Sequence, residues 1–261
     1  IGIHLGLTGR IITTSSACTS GSQGIGYAYE AVRADHADVM LAGGAEQLCP
    51  TMAVVFDTLF ATSTRNDAPA TASRPYDKSR DGLVVGEGAA ILVLEEFEHA
   101  RARGATPLAE IVGFATNSDG AHITQPKSET QAIVMRAALR QADLSAADIG
   151  FISGHGTATD TGDVAESLAT AQVYGEQVPI HSLKGHLGHT LGACGAIEAW
   201  LAIRMMRDGW FAPTANLTEV DPRCAALDYV MGAPRTLDIE YLVSNNFAFG
   251  GVNTSLVFRR I

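Results

Sequence analysis

Nowhere in the chain do about 18 uncharged apolar residues run together, which excludes a hydrophobic membrane-spanning helix. Basic residues are the minority, 18 Lys and Arg against 28 Asp and Glu, for a formal net charge of −10. They are also scattered, with Arg101 and Arg103 as the densest cluster, so the clustered cations that neutralise phosphates are missing and a nucleic-acid role is excluded. Cysteine is sparse: Cys18, Cys49, Cys194 and Cys224 form no CxxC pair, which fits a reducing cytosol. Proline is modest, and Gly and Pro together make 36 of 261 residues, too few for a low-complexity chain. The first residues, Ile1-Gly2-Ile3, include no initiator methionine, and no leader pattern is visible.

What is present is apolar content: 46% of residues are hydrophobic and 18% charged, enough to bury a core and to exclude global disorder. A length of 261 residues suits one large domain or two small ones. Glycine, at 27 residues, is frequent enough to mark particular points of close backbone or ligand approach. These features predict a soluble, cytoplasmic α/β enzyme.

Hydrophobic periodicity alternates between short β-branched runs and longer helical patterns. Strands are expected over 9–14, over 38–42 closed by Gly43-Gly44, over 89–95, 107–114 and 149–152, and over 240–244 and 253–259. Helices are expected over 24–34, over 128–142 behind a Ser128/Gln131 capping box, over 163–174 and over 191–207. Continuous apolar strands between helices imply sheets covered on both faces. The segment 66–88, with Arg74, Pro75, Asp77, Lys78 and Arg80, lacks periodicity and reads as a long functional or contact loop.

Four segments carry chemistry. In Thr13-Thr14-Ser15-Ser16-Ala17-Cys18-Thr19-Ser20-Gly21 a strand ends in small residues, and a helix follows the cysteine. Unpaired N–H groups and the helix dipole there favour a thiolate. The plainer reading is a buried cysteine acting as a small hydrophobe, and it is preferred for Cys49, Cys194 and Cys224. In Gly154-His155-Gly156-Thr157-Ala158-Thr159 a histidine leaves a buried strand between glycines, with the Thr157 and Thr159 hydroxyls free to bind a polar arm. A core histidine satisfied by a turn is the alternative. Lys184 and His189, five residues apart, precede a helix start of small residues. Glu198, fourteen residues after Lys184, is placed to meet the ammonium from that helix. His186 and His189 make a weak zinc pair, without helical context, acidic ligand or cysteine pair. Finally, Phe247 and Phe249 stand against Gly250-Gly251, as a tight turn or as an aromatic gate over a hydrophobic tunnel.

In this order and combination, SSACTSG at 15–21, HGTAT at 155–159, Lys184 to His189 with GACG at 192–195, and FAFGGVN at 247–253 closely resemble the elongating β-ketoacyl-[acyl-carrier-protein] synthases. AGGAE at 42–46, STRND at 63–67, RPYDKSRDG at 74–82 and LEEFEHARARGA at 94–105 add to the resemblance, which covers essentially the whole chain. It implies an α/β, thiolase-like layered αβαβα fold with the first half incomplete. Residues 1–104 would be the remainder of the N-terminal half with the nucleophile elbow, and 105–261 the C-terminal half with both catalytic histidines.

The resemblance also implies roles. Cys18 is the nucleophile that takes an acyl group from a thioester, with backbone N–H groups of Cys18 and Phe249 holding the oxyanion. His155 and His189 hydrogen-bond the enolate left by malonyl decarboxylation, and Lys184 paired with Glu198 orders them. Thr157 and Thr159 bind the pantetheine amides, and Phe247, Gly250 and Gly251 line the substrate's path. Asp119 and His122, in the segment 117–126, match a mobile gating loop, with a plain surface loop as the alternative. No cofactor or metal is bound; substrates ride on the phosphopantetheine arm of acyl carrier protein. The enzyme works as a homodimer, or as a heterodimer with a ketosynthase-like subunit.

Ala248 replaces a glycine of the usual turn, and Leu83 a phenylalanine. These departures bear on acyl preference and keep a polyketide or aryl-polyene type pathway beside fatty-acid elongation. A cysteine-dependent thioester hydrolase is the more remote alternative, since it needs neither Lys184, a second histidine nor a phenylalanine gate. Carrier proteins are acidic, so the basic docking patch is expected outside these residues rather than at Arg65 and Lys127. The nucleophile of the family lies deep in the first half, whereas Cys18 stands near the start. The chain is therefore expected to be the C-terminal part of a larger enzyme, unable by itself to fold stably or condense substrates.

Overall fold

The computed structural model describes residues 1–261. The first part comprises α1 (Gly2–Leu5), α2 (Ser20–Arg33), β1 (Val39–Glu46), α3 (Pro50–Thr58), β2 (Gly88–Glu95) and α4 (Phe97–Ala102). There follow β3 (Glu110–Ser118), α5 (Ser128–Ala142), β4 (Ile149–Ser153), α6 (Asp160–Tyr174), β5 (Ile180–His181) and α7 (Lys184–Leu187). The last elements are α8 (Cys194–Asp208), β6 (Trp210–Phe211), β7 (Arg235–Thr236), β8 (Tyr241–Phe247) and β9 (Val252–Arg259).

The central sheet has the order β3-β9-β8-β4-β5, antiparallel across β3, β9 and β8 and parallel across β8, β4 and β5. Alternation along β8 and β9 sends Leu242, Leu256 and Phe258 to one face and Val243 and Val257 to the other. The first set packs with α2 and α8 in one core cluster. The second packs with α5 and α6 in another. Both faces are thus covered, which is why the two strands are almost wholly buried. They are apolar at Leu242-Val243 and Leu256-Val257-Phe258, and polar at Ser244-Asn245-Asn246, where Asn245 and Asn246 pair with Ser255 and Thr254 near the site. On the far side of α2 and α8 lies an antiparallel ribbon of β1 and β2, whose Met40, Ala90, Leu92 and Leu94 face those helices. The layers therefore run ribbon, α2/α8, sheet, α5/α6: four of the five expected. The outer face of the ribbon is bare, with Val39, Ile91 and Val93 exposed at 43%, 49% and 60%.

Helices α2 and α8 approach closely at their N-termini. A Cβ on Gly21 would stand 2.9 Å from the Ala196 nitrogen, so only glycine permits this crossing. The site is built on those two termini and on the ends of β4 and β8.

Several local expectations are corrected. Residues 9–14 form no strand: they have no pairing partner, and Ile11 is 77% exposed. Gly43-Gly44 do not end β1, because pairing with β2 carries it on to Glu46. The Ser128/Gln131 capping box is absent. Lys127 is the N-cap of α5 and Ser128 its first residue, since the chain arrives with the Lys127 N–H donated to Asp119 Oδ2 at 3.3 Å. Helix α6 starts at Asp160 rather than Asp163, and α8 at Cys194 after a 3-10 turn over Leu191–Ala193. Cys49 is half-buried rather than buried.

Candidate active site

Cys18 occupies a single 3-10 turn, Ala17–Thr19, leading into α2. Its Sγ lies 3.0 Å from Nε2 of His189, which follows α7. The backbone N–H groups of Phe249 and of Cys18 itself also bear on the sulfur. Burial outweighs these donors and pushes the thiol up to about 11. The free site thus holds a thiol, not the thiolate suggested by a helix terminus. Desolvating an anion costs more than a dipole acting over one turn returns.

His155 leaves β4 and is held from beneath by α6. Glu166 Oε1 accepts the His155 N–H at 2.6 Å; its Oε2 accepts the Gly156 N–H at 2.7 Å and the Tyr76 hydroxyl at 2.9 Å. Asp163 accepts the N–H groups of Thr157, Ala158 and Tyr76 at 2.9, 3.1 and 2.7 Å. Burial raises Glu166 to about 7, and raises Asp163 to about 6 against the pull of Arg80, 3.5 Å away. Three non-glycine residues with left-handed φ sit at the three turns: Ala17 at 52°, Ala158 at 65° and Leu191 at 47°. Such strain costs on the order of 1–3 kcal/mol per residue and persists where a site over-determines its backbone.

Lys184, buried, forms an ion pair with buried Glu198 and reaches His155 Nδ1 at 3.1 Å. Burial opposes the ammonium, but the Glu198 carboxylate prevails and the lysine pKa is raised. Burial, reinforced by the Lys184 charge, holds both His155 and His189 well below the usual histidine range, so both rings are neutral. The His189 Nδ1 accepts the Leu191 N–H at 3.3 Å, which puts its own proton on Nε2. The His155 Nδ1 accepts from Lys184, which puts that proton on Nε2 as well. The ring centroids lie 5.2 Å apart, with planes at 87°.

A cavity of about 250 Å³ opens onto Cys18, His155 and His189. Thr157, Thr159, Phe247, Phe249 and Gly251 line it; the two threonine hydroxyls lie 2.9 Å apart. Phe249 packs against Phe56 of α3 at 5.9 Å between centroids. Gly250 is not on the wall: its N–H is donated to the Ile123 carbonyl at 2.9 Å, since the turn faces the neighbouring loop. Asp119 and His122 reach the cavity mouth. His122 is exposed, whereas buried Asp119 accepts from Asn253 Nδ2 at 2.6 Å and donates its own N–H to the Gly251 carbonyl at 2.8 Å.

The zinc pair does not converge, because His186 Nε2 is bound to the Pro213 carbonyl at 2.8 Å while His189 turns to Cys18. Ligand atoms of Cys18, His155 and His189 do lie within 4.8 Å of one another, as do those of His155, Cys194 and Glu198. The Lys184 ammonium bonded to His155 and Glu198 repels a cation from both groups. Arg65 is drawn into a pair with Asp81 at 3.5 Å.

Five members of this constellation escaped sequence reasoning: Tyr76, Asp163, Glu166, Cys194 and Asn246. Cys194 is no mere hydrophobe, since its Sγ donates to the Cys18 carbonyl at 3.2 Å. Only Asp163-x-x-Glu166 left a signal, two acids on one face of a helix directly after HGTAT.

Residues 1–100 match the family "Beta-ketoacyl synthase, N-terminal domain", and residues 108–218 match "Beta-ketoacyl synthase, C-terminal domain". The 3-oxoacyl-[acyl-carrier-protein] synthase 2 of Vibrio harveyi is 42% identical over 100% of this chain and 64% of its own length. The crystal structure of a β-ketoacyl synthase from Burkholderia phymatum superposes with a TM-score of 0.99 at 63% identity, over 100% of this chain and 64% of the other. A type II polyketide ketosynthase, solved in complex with its acyl-carrier protein and bound to the hexaketide, has a TM-score of 0.96 at 33% identity, over 100% of this chain and 65% of the other. The chain therefore spans about two-thirds, at 64%, of the length of the curated relative it matches. The layered fold is that of these synthases.

Proposed function

The chain belongs to the β-ketoacyl synthase family, and from that membership we propose that it carries the catalytic chemistry of a 3-oxoacyl-[acyl-carrier-protein] synthase. One observation carries the reading: a buried thiol and two neutral imidazoles, both protonated on Nε2, share one cavity.

The sulfur of Cys18 attacks the thioester carbonyl of an acyl group on the carrier's phosphopantetheine arm. The oxyanion is held by the N–H groups of Cys18 and Phe249, and the arm's thiol leaves with the proton that Cys18 gives up. A malonyl thioester follows, with Thr157 and Thr159 hydrogen-bonding the arm's amides. Its bond to the carboxylate breaks, carbon dioxide departs, and the electron pair left behind forms an enolate. The enolate oxygen accepts from Nε2–H of His155 and of His189, donors that work best in a site closed to water. The enolate carbon then attacks the Cys18 thioester, a C–C bond replaces the C–S bond, and the thiolate takes up a proton.

The partners are acyl- and malonyl-loaded acyl carrier protein, and a second subunit of the same or a ketosynthase-like kind, in the cytoplasm. Arg65 is paired with Asp81, which supports a basic docking face for the acidic carrier elsewhere than at Arg65. Fatty-acid elongation is the first reading of the pathway, from the Vibrio harveyi relative. Likeness to the polyketide ketosynthase, and Ala248 in the turn that bears Phe249, favour a polyketide or polyene acyl chain as the second.

Incubation with acyl carrier protein is expected to add the acyl mass to the Cys18 peptide, and Cys18→Ala to abolish it. Malonyl-dependent carbon dioxide release is expected to fall by about a hundredfold or more in His155→Ala and in His189→Ala. An adduct that survives Cys18→Ala, or carbon dioxide release indifferent to both histidines, sinks the proposal. Turnover of saturated against polyunsaturated acyl chains separates the two pathways.

A further inference from the structure

Asn246 is the last residue but one of β8, and its amide is buried behind His155. Nδ2 donates to Glu198 Oε2 at 2.7 Å and lies 3.3 Å from His155 Nδ1 and 3.8 Å from Cys194 Sγ. Oδ1 has no hydrogen-bond partner. A buried amide with an orphaned oxygen is a standing cost to stability, so the residue's value lies elsewhere. The room it occupies is specific: a Cβ on Gly195 would stand 2.8 Å from that oxygen.

The contacts close a ring. Glu198 gives one oxygen to Asn246 and the other to Lys184, while Lys184 Nζ and Asn246 Nδ2 both face His155 Nδ1. A carboxylate tied at both oxygens cannot turn. Freed at one, it is able to offer both to the ammonium and draw Nζ away from the imidazole. An imidazole whose Nδ1 loses its donors exchanges tautomers freely.

We infer that Asn246 is a positioning residue for decarboxylation: by fixing Glu198 and facing Nδ1, it keeps the His155 proton on Nε2, toward the cavity. The inference rests on the condensing reaction proposed above. The hydrogen bonds of Asn246 reach His155 but neither Cys18 nor His189, so its loss falls more heavily on decarboxylation than on acylation.

The test uses the full-length enzyme. Asn246→Ala is expected to slow malonyl-dependent carbon dioxide release about tenfold or more while acylation of Cys18 stays within about threefold of wild type. The imidazole ¹⁵N signals of His155 are expected to move from an acceptor Nδ1 and protonated Nε2 toward tautomer-averaged values. If circular dichroism shows the alanine variant unfolded, Asn246→Ser, which keeps a donor beside Glu198, is expected to show the same split at smaller size. Undiminished carbon dioxide release in a folded variant, or parallel losses in both half-reactions with unchanged His155 signals, overturns the inference. A wild-type enzyme that neither acylates Cys18 nor releases carbon dioxide overturns the parent reading instead, and the His155 signals still judge Asn246.

Discussion

Cys18 is a buried thiol on the cavity wall, and the donors of the site converge on it. Burial sets its pKa at about 11, while the N–H groups of Phe249 and Cys18 and the His189 Nε2–H wait on the same side. A raised thiol pKa means the reactive anion accumulates only as pH climbs, so reactivity is suppressed at neutral pH and recovered in alkali. Alkylation of Cys18 by iodoacetamide in the free enzyme is expected to keep accelerating beyond about pH 9.5, where an ordinary cysteine of pKa about 8.5 has levelled. A rate already flat near about pH 7 would refute it. Cys18, His155, Lys184 and His189 were legible in the sequence because each sits in a turn punctuated by small residues, which leave a mark on the chain itself. Asn246 was not, because its partners His155, Cys194 and Glu198 are 91, 52 and 48 residues away and only the pairing of β8 with β4 brings His155 beside it.

Helix α6 is the element that the loop carrying His155 stands on. Its two buried carboxylates take six donors from residues 76 and 155–158, so the helix functions as a cradle for the strained turn at Ala158. Glu166→Ala leaves the N–H groups of His155 and Gly156 and the Tyr76 hydroxyl buried without acceptors. The expected loss is about 3–5 kcal/mol in urea unfolding, from three donors at about 1–3 kcal/mol each with partial relaxation. Glu166→Gln, which keeps one acceptor oxygen, should lose less; equal losses for the two variants would count against the cradle. Periodicity found this helix over 163–174, and Ser167, Thr170 and Tyr174 bury at the i, i+3, i+7 spacing of one helical face. It missed the first turn because Asp160, Thr161 and Gly162 carry no apolar signal. It also took residues 9–14 for a strand, because β-branched composition resembles a strand whether or not a partner exists.

At the scale of the molecule, the central sheet and the β1–β2 ribbon differ in how they are covered. The central sheet is covered on both faces, whereas the β1–β2 ribbon turns Val39, Ile91 and Val93 outward, and Ile1, Ile3, Leu5 and Ile11 are exposed along the first residues. Exposed apolar residues clustered on a ribbon face seek a partner. The 261-residue chain by itself is expected to bind the dye ANS strongly and to elute as aggregate or oligomer in size-exclusion chromatography; a dye-silent monomer would refute this. The sequence by itself determined where the reactive residues are, what order they come in, and which stretches are apolar enough to form strands and helices, because turn chemistry and periodicity are local. Tertiary structure alone decided the rest. It set the thiol at about 11 instead of a thiolate, the Nε2–H tautomers of both histidines, the Asn246–Glu198–Lys184 ring and the missing cover on the ribbon. Each of these depends on desolvation or on contacts between distant residues, and neither exists until the layers have packed.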